Sequence, residues 1–447
     1  DKVSYFLTVL DDVTLTNSTI SGQKRVGGLA GQVPHWLVNH KTYASGNVVA
    51  GQGEYVGGIF GYTNNTYSTD ILVKDQQVYN SGSEKYNYTG GIAGYMSGHG
   101  TRRTAAAGMQ VIAAGESNYV GGLYGRGPTT RDTAEHSNMA ADIRVYGHDR
   151  VGGLYGDGSW LKYTDVNQTD GNYTNQAGTV TLTGKEEIRV IGTGDYVGGM
   201  IGSYGSDTQY NRIRNVTVSG SGIGTGGLIG KRTGGILYNC QIENITVTAS
   251  GIGTSTEGSA YLGDEEVTGT IPNGSCVGGL SGIESGWSPI SFDSIKNVKV
   301  YGGNYTGGLI GLRSKSSGNL EELNIQNVTV SSDGDAYVGG VAGYINTNSS
   351  ASELITDKIT VKANKASYVG GYAGYADCSN KDAGSLVSSL LKVTVEATGK
   401  SQYVGGIIGR VQNVNSVSQN TVEATVYAPE ADYVAGGIGY VGRETTD

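Results

Sequence analysis

Of 447 residues only five are proline, four methionine, and three each cysteine, phenylalanine and tryptophan. Cys240, Cys276 and Cys378 are too few and too far apart for a disulfide framework or a zinc site. Two readings of Cys240 and Cys276 stay open: a bridge between adjacent rungs, or buried thiols acting as small apolar residues. Charge is sparse, at 16% of residues with a formal net charge of −9, and no Lys/Arg cluster could follow a phosphate backbone. That composition excludes nucleic acid as a partner. No run of eighteen apolar residues occurs, which argues against membrane insertion, and no basic leader opens the chain. The first residues already read as a strand, and no polar capping segment closes the sequence, so a piece of a longer protein is expected. Helical patterning is missing too: no window sustains apolar residues at i, i+3, i+4 and i+7, and 76 glycines oppose helices.

What is abundant is one short string: Val or Thr, then Gly-Gly, an aliphatic residue, any residue and a final Gly. Its first glycine falls at Gly27, Gly57, Gly90, Gly121, Gly152, Gly198, Gly226, Gly278, Gly307, Gly339, Gly370 and Gly405, and a degenerate copy has Ala435 in that place. The intervals are 30, 33, 31, 31, 46, 28, 52, 29, 32, 31, 35 and 30 residues, the mark of stacked repeats. A second pattern lies midway between these strings: IRNVTV at 213–218, IENITV at 242–247, IKNVKV at 295–300 and IQNVTV at 325–330. β-Branched residues alternating with polar ones and flanked by Gly, Ser and Asn read as strands.

Propeller blades want about forty or more residues and four strands each. Thirteen shorter units fit an all-β parallel β-solenoid (β-helix) of about thirteen coils, each of roughly 30 residues, whose equivalent strands pair from coil to coil. The fourth motif position is aliphatic in most copies, from Leu29 and Ile59 to Val341 and Ile407, with Tyr372 and Gly437 as exceptions, and is the expected inward column. The glycines admit either a close neighbour or a positive φ. Asn215, Asn244, Asn297 and Asn327 share one place, where a left-handed corner and coil-to-coil amide bonds are expected; an exposed surface Asn is the bland alternative.

The V-G-G-L-x-G string followed by an Ile-x-Asn strand resembles the bacterial GLUG repeat, over nearly the whole chain from Gly27 to Gly439. The resemblance implies a large secreted or surface-attached bacterial protein, adhesin-like or carrying an IgA-specific metallopeptidase elsewhere in its chain. It implies an extracellular location, which the low charge and the Gly, Ser, Thr, Asn and Tyr content also suit.

Chemistry is hard to find. None of His35, His40, His99, His136 and His148 belongs to a His-Glu-x-x-His motif, and no phosphate loop, nucleophile elbow or EF-hand occurs. A carbohydrate-active β-helix enzyme would need facing carboxylates, for which Asp132, Glu135 and His136, His148 with Asp149, Asp264 to Glu266, and Glu321 with Glu322 are the options. Solvated acidic loops are the simpler reading, so no catalytic, metal or cofactor residue is assigned.

Thirty-one tyrosines remain. Nine precede the motif (Tyr55, Tyr88, Tyr119, Tyr196, Tyr305, Tyr337, Tyr368, Tyr403 and Tyr433) and five follow its last glycine (Tyr62, Tyr95, Tyr344, Tyr375 and Tyr440). They would form ladders that either shield the glycine bend or stack on a sugar or partner. The long intervals imply inserted loops near 157–185 and 253–275, the segment from Pro34 to Ser45 holds His, Trp and Lys, and Trp36, Trp160 and Trp287 lie in or beside these stretches as the ligand-binding candidates. The expected protein is a non-catalytic stalk, fibre or binding surface for host or matrix glycans or proteins, capable of end-to-end self-association through open coil edges.

Overall fold

The computed structural model describes residues 7–442 apart from 84–85, 117, 128–137, 159–160, 163, 167–169, 175–178, 184–185, 205–207, 236, 250–254, 257–258, 263–264, 269–270, 273, 315–316, 347–348, 378–384, 388 and 413–415. Among the described residues there is no helix, and the strands stack in parallel as a β-solenoid of about 11 turns. Two compact units divide it, Asp1–Thr217 and Val218–Asp447.

In the first unit the Gly-Gly strands Arg25–Gly27, Tyr55–Gly57, Tyr88–Gly90, Val120–Gly121, Val151–Gly152 and Val197–Gly198 pair in parallel in chain order. Longer strands on the other faces carry the core. Val49, Val78, Val111, Val145 and Val190 lie in register on successive turns, and none is more than 2% exposed. In the second unit Val247, Val300, Val330, Val361 and Val395 do the same. Period-two alternation puts one valine inward per turn, and burying each contributes about 1.5–3 kcal/mol. The fourth motif position is inward as expected: Ile59, Ile92, Leu154, Leu309 and Val341 are fully buried, and Tyr372 takes the same place at 4% exposure.

The motif glycines serve close approach. None has a φ in the left-handed region. A Cβ on Gly340 would instead be driven into the carbonyl oxygen of Gly371 on the next turn, well inside the 3.0 Å that real Cβ contacts respect. Left-handed backbone appears at the other corner, inside the long strands. Asn244, Asn297 and Asn327 have φ of 58°, 55° and 54°. Asn297 Nδ2 donates to Asn244 Oδ1 at 3.0 Å, and Asn327 Nδ2 donates to Asn297 Oδ1 at 2.7 Å. The first unit fills its corner with Asn17, Gly46, Asp75, Gly108 and Asp142 at φ of 49°, 65°, 50°, 67° and 48°. Each is a residue type that tolerates this conformation.

Each long interval contains antiparallel strand pairs in addition to the parallel stack. Asp170–Thr174 pairs with Thr179–Thr183 in the first unit. In the second, Ser255–Thr256 pairs with Ile271–Pro272 and Ser259–Leu262 with Glu265–Thr268. The first hairpin lies against the solenoid flank: Val180 is fully buried in a cluster with Leu72, Ala105, Ala107, Met139 and Ala141. Small side chains on that flank admit the second layer.

Candidate functional site

Two aromatic rows run side by side in each unit, because the residues before Val/Thr and after the final Gly recur once per turn on adjoining strands. In the first unit Tyr55, Tyr88 and Tyr119 stack with centroids 5.4 and 4.5 Å apart and ring planes within 11° of parallel. Tyr62 and Tyr95 form the second row at 5.1 Å and 15°. Where tyrosine gives way to arginine, the guanidinium takes the place of a ring. Arg150 lies 4.9 Å from the Tyr119 centroid and 5.9 Å from that of Tyr196. In the second unit Tyr337, Tyr368, Tyr403 and Tyr433 continue at 5.0, 5.4 and 5.1 Å, all within 20° of parallel. Arg410 sits within 6.0 Å of the rings of Tyr368, Tyr375, Tyr403 and Tyr440.

Ring faces in these ladders are occupied by neighbouring rings or guanidinium planes, leaving edges and hydroxyls for solvent. A sugar cannot stack where a tyrosine already does. Burial raises the phenol pKa of Tyr305, Tyr344 and Tyr375, and that of Tyr88 to about 12, so all four stay neutral donors at physiological pH. Tyr375 Oη donates to Gln412 Oε1 at 2.8 Å.

Trp287 is different. Its side chain is 73% exposed, the most open large apolar residue among those described, on the loop that follows strand Ser281–Glu284. Beneath that loop lies a buried charge stack. Arg232, Glu284 and Arg313 occupy one position on three successive turns and are at most 1% exposed. Arg232 Nη1 donates to Glu284 Oε1 at 2.6 Å, and the same oxygen accepts the Gly286 N–H at 2.9 Å. Arg232 Nη2 reaches Ser288 O at 3.2 Å and also Gly235 O, while Arg313 Nη2 binds Gly318 O. Gly318 N donates to Gly286 O at 2.7 Å, and the backbone of Ser285 donates to Arg232 O at 2.9 Å. Burial raises the Glu284 pKa, and the Arg232 guanidinium and the Gly286 amide pull it back. A Cβ on Gly286 would lie 2.7 Å from Arg232 Cζ, so the loop closes directly on the guanidinium. The backbone on both sides of Trp287 is fastened from below while the indole faces outward.

Trp36 opens strand Trp36–His40 in the first unit and is 38% exposed. Val38 and His40 share its outward side, with Val9 and Tyr67 opposite Val38 on neighbouring strands. His40 Nδ1 lies 2.6 Å from Thr69 Oγ1. Trp160 lies outside the described residues, as do Asp132, Glu135, His136, Asp264 and Cys378, and the side chains of Glu265 and Glu266 are likewise outside the described set.

The remaining acid–base options are absorbed by turns. Asp149 Oδ1 accepts the Asp195 amide at 2.7 Å and His148 Nδ1 meets Thr193 Oγ1 at 2.9 Å, tying one turn to the next. Glu321 Oε1 accepts from Asn319 at 2.9 Å, while Glu322 takes a left-handed φ of 53° on the exposed side. Cys240 and Cys276 are both buried. A bridge between them is ruled out by position, since Cys240 pairs with Phe292 in a long strand while Cys276 stands just before a Gly-Gly strand on another face.

The buried charge stack had a signal in the sequence. Arg232, Glu284 and Arg313 each stand six residues after the first motif glycine, where other copies carry Val33, Met96, Ile345 or Val411. Opposite charges at an otherwise uncharged column on consecutive repeats are what the motif alignment could have revealed. Comparison with family models, with curated proteins and with solved structures finds no match to the chain.

Proposed function

We propose that this chain is a non-catalytic extracellular scaffold of the GLUG-repeat kind, part of a bacterial surface or secreted adhesin-like protein, with a binding platform for host or matrix glycans or proteins at Trp287. One observation carries the binding reading: an indole 73% exposed on a loop whose backbone is pinned by a buried Arg232–Glu284 ion pair. An exposed Trp on a rigid loop offers a large flat contact surface with little ordering cost on binding. The tyrosine ladders support the scaffold reading, since their ring faces serve coil-to-coil cohesion. Trp36, with Val9, Val38 and Tyr67 beside it, is the corresponding platform of the first unit.

The test is a glycan array and an extracellular-matrix panel probed with the wild-type chain and with Trp287→Ala, the same polysaccharides being followed for cleavage. Saturable binding that falls at least about tenfold in Trp287→Ala is expected, the loss typical of a central Trp contact. Cleavage would refute the non-catalytic reading, and binding unchanged by Trp287→Ala would refute this platform.

A further inference from the structure

Around Trp287 the sign of the charge is opposite to that of the chain as a whole. The loop that carries the indole is one of three on successive turns of the second unit, 231–236, 284–289 and 313–319. Their described residues include three cations, Lys231, Arg232 and Arg313, against one anion, Glu284, which is a surplus of +2 in a chain of formal net charge −9. Glu321, on the strand that follows, has its carboxylate bonded by Asn319 at 2.9 Å, and counting it as well still leaves +1.

Two of these cations lie inside the fold. Arg232 and Arg313 are at most 1% exposed, and the single carboxylate between them neutralises only one. Salt screens a buried charge much less than an exposed one, so the surplus acts at the surface above it. That surface is the Trp287 loop. Arg232 Nη2 donates to Ser288 O at 3.2 Å, and an added Cβ on Gly286 would stand 2.7 Å from Arg232 Cζ. Gly286 and Ser288 flank Trp287, so the guanidinium lies directly against the peptide units that carry the indole.

We propose that the Trp287 platform prefers acidic glycans, chains bearing carboxylate or sulfate groups: the indole stacks on a sugar face, and the surplus charge of the buried stack attracts the anionic substituents. This rests on the binding reading of Trp287 given above and adds the class of sugar. Recognition works through the field, because guanidinium groups this deeply buried cannot touch the ligand. One surplus charge acting over roughly 8 Å, at an effective dielectric between the protein-surface and bulk-water values, favours an anion by about three- to thirtyfold. A neutral sugar keeps the stacking contact alone. The bonds identify the cation to remove. Arg232 Nη1 holds the carboxylate at 2.6 Å, whereas Arg313 Nη2 bonds Gly318 O on its own loop. Arg313→Met therefore takes away one charge and leaves the Arg232–Glu284 pair in place.

The test compares the affinity of the full chain for dextran and for dextran sulfate of the same chain length, at low and at high salt. Wild type should bind dextran sulfate at least about threefold more tightly at low salt, with a preference that shrinks as salt rises. Trp287→Ala should lose affinity for both polymers, while Arg313→Met should keep its affinity for dextran and lose most of the preference. Equal affinities in wild type, no binding of dextran sulfate, or a preference that Arg313→Met leaves unchanged would overturn the proposal. Should Arg313→Met fail to fold by circular dichroism, the wild-type salt series decides, since a preference indifferent to salt would also overturn it. Binding of both polymers that falls in Trp287→Ala without any preference upholds the platform and overturns only the acidic class. Dextran sulfate binding untouched by Trp287→Ala overturns both.

Discussion

Glycine-to-alanine substitution at one motif position should have opposite consequences in two turns. In Gly340→Ala the new methyl cannot coexist with Gly371 O unless the two turns move apart locally. Three backbone hydrogen bonds cross that place: Gly340 N to Gly370 O at 3.1 Å, and Val341 N and Ala342 N to Tyr372 O, both at 2.9 Å. Stretching or losing them, at about 0.5–1.5 kcal/mol each, gives a destabilisation of about 2–4 kcal/mol, in the range of overpacked cores. Gly436→Ala adds the same methyl where nothing lies within 4 Å, so it should be neutral or stabilise by about 0.4–1 kcal/mol through the unfolded chain. Denaturant unfolding of the two variants measures the difference, and amide hydrogen exchange at Val341 and Ala342 locates it. Equal stabilities for Gly340→Ala and wild type would refute the steric account of the repeated glycines.

Glu284→Gln should cost about 3–5 kcal/mol, since it leaves two buried guanidinium groups without their carboxylate; making the whole stack apolar with Arg232→Met, Glu284→Leu and Arg313→Met should recover part of that loss in the same unfolding assay. Asn297→Ala should cost about 1–2 kcal/mol for its left-handed φ of 55°, and Asn297→Gly clearly less, because glycine keeps the corner and loses only the amide ladder. Burial raises the Tyr88 phenol from 10.0 to about 12, so the unfolded state releases that proton first; stability should be flat below pH 10 and fall as pH rises toward 12, followed by tyrosinate absorbance and circular dichroism together. A tyrosinate transition with the ordinary midpoint and no linked unfolding would refute the ladder's burial.

Much of this fold was readable because each turn repeats the same demand. The Gly-Gly spacing, the aliphatic fourth position and the shared Asn corner all correspond to columns in the structure, and the expected amide ladder is made by Asn244, Asn297 and Asn327. Single repeats were less legible. Nothing in TAAAG at 104–108 says that an inserted hairpin will lie over it, because that contact joins residues far apart in the chain and has no period. Motif glycines were compatible with both a tight bend and a close neighbour, and only the next turn's carbonyl decides between them. The exposure of Trp287 likewise depends on an ion pair assembled from two turns, 52 residues apart in sequence.

Val180 on the flank of the first unit changes what kind of object the array is. Turns that share one motif look like exchangeable parts, free to be duplicated or lost by recombination. Once a hairpin from one turn is seated on Leu72, Ala105 and Met139 of three others, those four turns are inherited as a block. Deleting any one of them strands an apolar surface, so changes in repeat number are best tolerated in turns without such an overlay.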